Sequence, residues 1–327
     1  MINSIQGKRI NVERYGGLIN YSFMDIPLRI AGRIIVNDEG LLKEKLYSSN
    51  FNVNIPSLCI HHNPSVNEGT QLTIQNDMLP LVGDCLDLYN RLSPNEEIIE
   101  ADLYCVPDVL PTYTGVNNEF LTSPRIDNLT SFYSIINSLT NENLNRKGVS
   151  LLYAVDNEEV GSLSKQGAES AFLPNVLKRI NKCLNKTEEE FDIAMSNSFV
   201  MSIDNAHATH PAHPEKNDPE YKVLLNGGVV IKHHPNYSTD ALSSAYVKML
   251  AKSKCISIQD YYNNSNIRCG STIGLITSSQ LAINTIDIGL PQLAMHSAIE
   301  TIGVNDILSL TKLVDVFFES VFITKQE

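Results

Sequence analysis

The sequence predicts an α/β protein: a mainly parallel sheet sandwiched by helices, preceded by a β-rich domain. Three observations predict it. From about residue 120 onward, segments of helical period alternate with short apolar runs, the pattern of a largely parallel sheet covered by helices. Residues 1 to 115 instead carry short apolar or alternating runs separated by turn residues such as Asn37, Asp38, Gly40 and Pro94. The 327-residue chain is 43% hydrophobic and 19% charged, which is globular and long enough to bury a sizeable core.

In the first domain, assigned to residues 1–115, RIAGRIIV, QLTIQ and IIEADLYCV read as strands. In the second, 116–327, SFYSIINSL reads as a helix, VSLLYAV as a strand, AESAFLPNVLKRINKCL as a helix and SFVMSI as a strand. VVI, DALSSAYVKMLAK, STIGLITSSQLAI, TIDIGL and ILSLTKLVDVFFESVF continue the alternation. No repeat or low-complexity segment interrupts it.

Composition excludes several functions. The net charge is −12 with no basic block, which argues against nucleic-acid binding. No apolar run reaches the roughly 18 residues of a membrane span, and the N-terminus has no signal core. Cys59, Cys85, Cys105, Cys183, Cys255 and Cys269 are widely spaced without a CxxC pair, so they read as reduced thiols of a cytoplasmic protein.

In such sheets ligands sit beyond the strand ends. The polar residues there are Asp127 in SPRIDNLTS, Glu158 and Glu159 in DNEEVGS, Asp204 with His207 in SIDNAHATHPAHP, and His296 in PQLAMHS. Carboxylates and a histidine at these positions make a metal-site inventory. Zinc takes about four such ligands, and a pair about 3.5–4 Å apart can share a carboxylate and a water. A carboxylate beside that water but off the metal acts as general base. Neighbouring side chains on extended backbone point apart, so Glu158 and Glu159 can divide these roles. Each position also has an ordinary alternative. The Glu158–Glu159 pair suits a solvated loop, and Asp127 suits a helix N-terminus. Asp204 with His207 suits a turn, and His296 suits a core histidine bonded to a carbonyl.

The motifs EFLTSPRIDNLTS, DNEEVGSLSKQGAES, SIDNAHATHP and GLPQLAMHSAIE, together with NVERYGG, RIAGRIIV and EADLYCVP, closely resemble the aspartyl aminopeptidase family of co-catalytic zinc exopeptidases. The resemblance implies a zinc-exopeptidase fold with a β-rich dimerisation and lid domain in residues 1–115. It implies two zincs per subunit, with Asp127 as the bridging ligand, Glu159 and His296 on one metal, Asp204 on the other and Glu158 as general base. His61 matches a histidine that reaches a neighbouring subunit's site. Lys232 matches a lysine near the pocket that could pair with an acidic substrate side chain, or be an ordinary strand-end lysine. His207 and His210 match residues standing behind the ligands.

The resemblance also carries a departure. The family's first zinc histidine, in a His-Thr-Asp-Ser-Pro motif, lies upstream of the segment that matches residues 1 to 20, and nothing here corresponds to it. Asp127 and Asp204 alone would then hold the second zinc. Three functions follow as expectations. The first is a zinc aminopeptidase removing N-terminal Asp or Glu from peptides as a homo-oligomer, a dimer building block of tetrahedral dodecamers. The second is a truncated, impaired member with one or no zinc, serving as an assembly subunit. The third is a two-metal hydrolase of another amide, such as an N-acyl amino acid.

Overall fold

The computed structural model describes residues 1–322. The chain forms two compact units: one holds residues 1–111 and 296–299, and the other holds the rest of the described chain.

The first unit contains two antiparallel sheets. Strands β1 (Ile2–Ser4), β2 (Gly7–Arg9) and β5 (Leu81–Gly83) form the smaller one, in the order β1-β2-β5. Strands β3 (Leu28–Asp38), β4 (Leu41–Val53) and β6 (Ile98–Pro107) form the larger, with β3 in the middle. The β3–β4 turn is Glu39-Gly40, with φ of 53° and 86°. Two positive-φ residues in a two-residue loop suit the right-handed twist of the strands it joins. Leu28, Ile30, Val53, Ile55, Met78 and Leu92 make this unit's core. RIAGRIIV lies in β3 and IIEADLYCV in β6, as expected, but QLTIQ is not a strand. Ile74–Asp77 is a short helix, α1, and another, α2, spans Leu88–Leu92. Asp77 Oδ2 accepts from both the N–H and the Oγ1 of Thr73, and this local capping draws the segment into a helical turn.

The second unit contains two mixed sheets covered by helices. One has five strands: β7 (Thr112–Thr114), β8 (Phe120–Ser123), β10 (Ala206–His207), β14 (Pro291–Leu293) and β15 (Glu300–Gly303), in the order β10-β14-β15-β8-β7. Only β10–β14 is parallel in it. The other holds β9 (Phe199–Ile203), β11 (Val229–His233), β12 (Ile258–Tyr262) and β13 (Asn284–Gly289), in the order β12-β11-β13-β9. There β11–β12 and β13–β9 are parallel, and β11–β13 is antiparallel. The helices are α3 (Ile126–Thr140), α4 (Phe172–Cys183), α5 (Glu188–Ser196), α6 (Ala241–Ser253), α7 (Gly274–Leu281) and α8 (Val304–Glu319).

Near-continuous apolar strands put Val229, Ile231, Ile286 and Ile288 at full burial, as strands covered on both faces require. In α8, Leu310, Leu313, Val314 and Phe318 repeat at helical spacing and close the core from one side. Helix α3 turns an unusual face to α8. Its buried residues are Ile126, Thr130, Ser131, Ser134 and Ser138, while Leu129, Phe132, Tyr133 and Ile136 are exposed. The hydroxyls of Thr130 and Ser134 donate to the carbonyls of Ile126 and Thr130, four residues back. That satisfies small polar side chains inside a helix packing and lets the backbones approach.

The expected strand VSLLYAV does not form. No described residue pairs with Leu151–Val155, and Val149 and Leu151 are exposed. A strand exists only through a partner's hydrogen bonds, and an apolar run by itself supplies none.

Candidate metal centre

Three of the predicted acidic residues of the second unit, Asp127, Glu159 and Asp204, come together. Asp127 lies at the beginning of α3, within two residues of non-helical backbone. Strand β8 pairs with β15 so that Ser123 faces Glu300. The chain then passes through Arg125, at φ 57°, and turns back. This brings the Asp127 N–H to Glu300 Oε2, to which it donates at 3.0 Å. Asn128 Nδ2 donates to the Ile203 carbonyl at 2.7 Å, tying the same turn to the end of β9.

Asp204 follows β9 directly, and its N–H donates to the Ile288 carbonyl at 3.0 Å. A Cβ on Gly289 would stand 1.9 Å from the Asp204 carbonyl oxygen, so only glycine lets the two backbones approach this closely. Asn205 is buried and donates to the Ile126 carbonyl, Thr130 Oγ1 and Gln292 Oε1 at 3.2, 3.2 and 2.7 Å. It clamps the β9 end to α3 and β14.

Lys232, in β11, is only 2% exposed. Its Nζ donates to Asp204 Oδ2 and to the Asn205 carbonyl, both at 3.0 Å, and lies 5.3 Å from the centre of the Tyr237 ring. This is a buried, satisfied ammonium, held from above by an aromatic face.

Glu158 and Glu159 occupy a turn, not a strand end. The carbonyl of Glu158 accepts from the Gly161 N–H, and the Asn157 carbonyl accepts from the Ser162 N–H, both at 2.9 Å. Asn157 takes φ 60°, and its Oδ1 accepts from Ser164 Oγ and Gln166 Nε2, both at 2.8 Å. Glu158 is half-buried and Glu159 exposed. A carboxylate oxygen of Glu159 lies within 4.8 Å of one of Asp127.

The electrostatics follow from this crowding. Burial pushes the Asp127 carboxyl up to about 9, the negative charges of Asp204, Glu300 and Glu159 add to the rise, and Lys232 opposes it. Four carboxylates thus converge with one lysine among them, an excess of negative charge that a divalent cation would neutralise. Oxygen donors at this density are the chemistry of such a site.

The other predicted residues are His207, His61 and His296. His207, on β10, is exposed, with its ring 6.3 Å from that of Tyr261. His61 is exposed in a loop of the first unit. His296 stands in the connection between β14 and β15, four residues before Glu300, at φ 66°. Its Nδ1 lies 3.1 Å from the Gly17 carbonyl. A carbonyl only accepts, so Nδ1 carries the hydrogen and Nε2 is the nitrogen with a lone pair, the tautomer a metal ligand needs.

Sequence reasoning missed Glu300 and Asn205. Both carried a signal: Glu300 is a lone charge in the apolar run SAIETIGV, and Asn205 adjoins Asp204 at a strand end. Each is at most 3% exposed.

Comparison with known proteins identifies the family. The sequence pattern of the aminopeptidase I zinc metalloproteases (M18) matches residues 3–318. A probable M18 family aminopeptidase 2 of Clostridium novyi is 39% identical over 315 residues, covering 91% of this chain and 72% of that one. A namesake from Pseudomonas aeruginosa is 34% identical over 332 residues, covering 95% and 75%. Among solved structures, a chain of the Ape4 and Nbr1 complex superimposes with TM-score 0.92 at 30% identity, covering 98% of this chain and 70% of that one. The yeast (S. cerevisiae) mApe1 dodecamer does so with TM-score 0.80 at 27% identity, covering 98% and 75%. Match, identity and coverage together place this chain in the M18 family of zinc metalloaminopeptidases.

Proposed function

We propose that the chain releases N-terminal acidic residues, Asp or Glu, from peptides, with Glu158 as general base. The observation that carries this reading is the convergence of Asp127, Glu159 and Asp204 on one place, with Lys232 the cation among them. Asp127, Glu159 and His296 supply two carboxylates and an imidazole, a three-ligand set for one zinc. Chain connectivity supports the histidine: four residues from Glu300 span at most about 14 Å, and Glu300 already holds Asp127. Asp127 and Asp204 would serve a second metal. Zinc bound here supplies Lewis acidity toward the scissile carbonyl and a water of lowered pKa.

The chain's own residues supply the rest. Glu158 is half-buried next to a ligand position and takes the proton of the attacking water, then gives it to the departing amine. Lys232 orients Asp204 and has three ammonium hydrogens, two of them given to Asp204 and Asn205. In this reading residues 1–115 serve as dimerisation and lid domain, and His61 serves a neighbouring subunit's site. The dodecamer of yeast mApe1 supports a closed homo-oligomer here.

The test is release of aspartate from an N-terminal aspartyl peptide, with Glu158→Gln in parallel and N-acyl and neutral aminoacyl peptides as comparison. Wild-type release that vanishes in the variant is expected. Equal rates in both would overturn the assignment of Glu158, and equal cleavage of N-acyl substrates would overturn the aminopeptidase reading.

One observation favours a second reading, a chain with a single zinc and impaired turnover. Asp204, half of the proposed second donor pair, is already paired with Lys232. Zinc stoichiometry decides: two tightly bound ions per chain support the two-metal enzyme, and one supports the impaired form.

A further inference from the structure

The geometry points to Glu300 as a positioning residue that holds Asp127 in place for metal; this rests on the metal-centre reading above. Glu300 opens β15 and is 3% exposed. Its register partner is Ser123, the last residue of β8. From Ser123 the chain must reverse within four residues, through Arg125 in the left-handed region, to present Asp127. The bond that closes this reversal is the Asp127 N–H donating to Glu300 Oε2 at 3.0 Å.

The neighbouring bonds tie the turn on its other side. Asn128 is tied to Ile203 and the Ile126 carbonyl to Asn205, both at the β9 end. Glu300 is what orients the Asp127 backbone from the β15 side. A glutamine could accept the same N–H without adding a fourth negative charge beside Asp127, Asp204 and Glu159. A buried glutamate in its place therefore suits a site that takes a cation. Glu300 is also four residues from His296, so one strand end carries the support of one proposed ligand and the chain of another. Partners of this kind typically change metal affinity 10- to 100-fold when removed.

The experiment is zinc affinity of the full chain, read by competition with a chromophoric chelator, for wild type, Glu300→Leu and Glu300→Gln. Unfolding midpoints of the metal-free proteins are recorded alongside. Leucine keeps volume and loses the acceptor, so its affinity is expected to fall about 10- to 100-fold. Glutamine keeps the acceptor and is expected to lose less affinity than leucine. A merely structural role would lower the metal-free midpoint and leave the zinc affinity of the folded protein unchanged, which would overturn the proposal. So would a glutamine variant as weak as the leucine one. If the leucine variant does not fold, Glu300→Asp replaces it: aspartate keeps the charge but draws the acceptor back by one methylene. Aspartate weaker than glutamine supports the proposal, and the reverse order overturns it. A wild-type chain that takes no zinc would instead overturn the metal-centre reading itself.

Discussion

Two stretches supply carboxylates to the site, and they are built in opposite ways. Asp204 leaves a buried strand, pairs with a buried lysine and sits against a glycine that admits its backbone. Glu158 and Glu159 leave an apolar segment that has no strand partner among the described residues and depend on turn bonds around Asn157. Position is therefore guaranteed by the core on one side and by local backbone chemistry on the other.

The largest expected effect isolates the loose side. Glu158→Gln should lower turnover by roughly 10²–10⁴-fold while zinc content, measured by atomic absorption, stays at the wild-type level. Lost zinc would mean that Glu158 is a ligand and that the roles of the two glutamates are reversed.

The next breaks the tight side. Asp204→Ala leaves Lys232 buried without its carboxylate, which should cost about 3–5 kcal/mol by denaturant unfolding. Glu159→Ala, on the exposed turn, should change metal-free stability by less than about 0.5 kcal/mol. Equal costs would erase the contrast.

A pH series sharpens it. Burial pushes the Asp306 carboxyl up to about 7. That group accepts from the N–H groups of Asn226 and Gly228, at the entry to β11, which carries Lys232. With the folded value above the unfolded one of 3.8, the folded state binds the extra proton between the two. Stability should thus fall as pH rises from about 4 through 7, by on the order of a few kcal/mol, and level off beyond. Asp306→Asn should flatten that slope, and an unchanged slope would assign it to other groups.

The smallest effect compares one glycine from each side. Gly289→Ala drives a Cβ into the Asp204 carbonyl and should cost about 1–3 kcal/mol or more. Gly161→Ala, at φ 107° with nothing within 4 Å, should cost about 1 kcal/mol of backbone strain. Unfolding midpoints of the two variants test the ranking.

The same contrast explains what was legible in the sequence. Strands β3, β6, β9, β11 and β13 and helices α6 and α8 were readable, because burial on both faces or on one stripe leaves a periodic trace. The failures were local. QLTIQ has strand-like composition, but Asp77 caps Thr73 and folds it into a helical turn. Helix α3 was placed, but its sequence does not tell which face is buried: hydroxyls bonded to carbonyls four residues back are in, and Phe132 and Ile136 are out. Lys232 was singled out for a substrate, yet nothing in its own sequence tells that two hydrogen bonds bind it to Asp204 and Asn205.

The sequence by itself determined the family, the α/β class and the identity of the acidic groups, because motif residues and hydrophobic periods are properties of the chain. Only the tertiary structure decided that Asp127, Glu159 and Asp204 share one place, that Glu300 supports the first and that Lys232 neutralises the last. Those facts depend on register and on strand order, which bring Asp127 and Glu300 together from 173 positions apart, and no local pattern encodes such a distance.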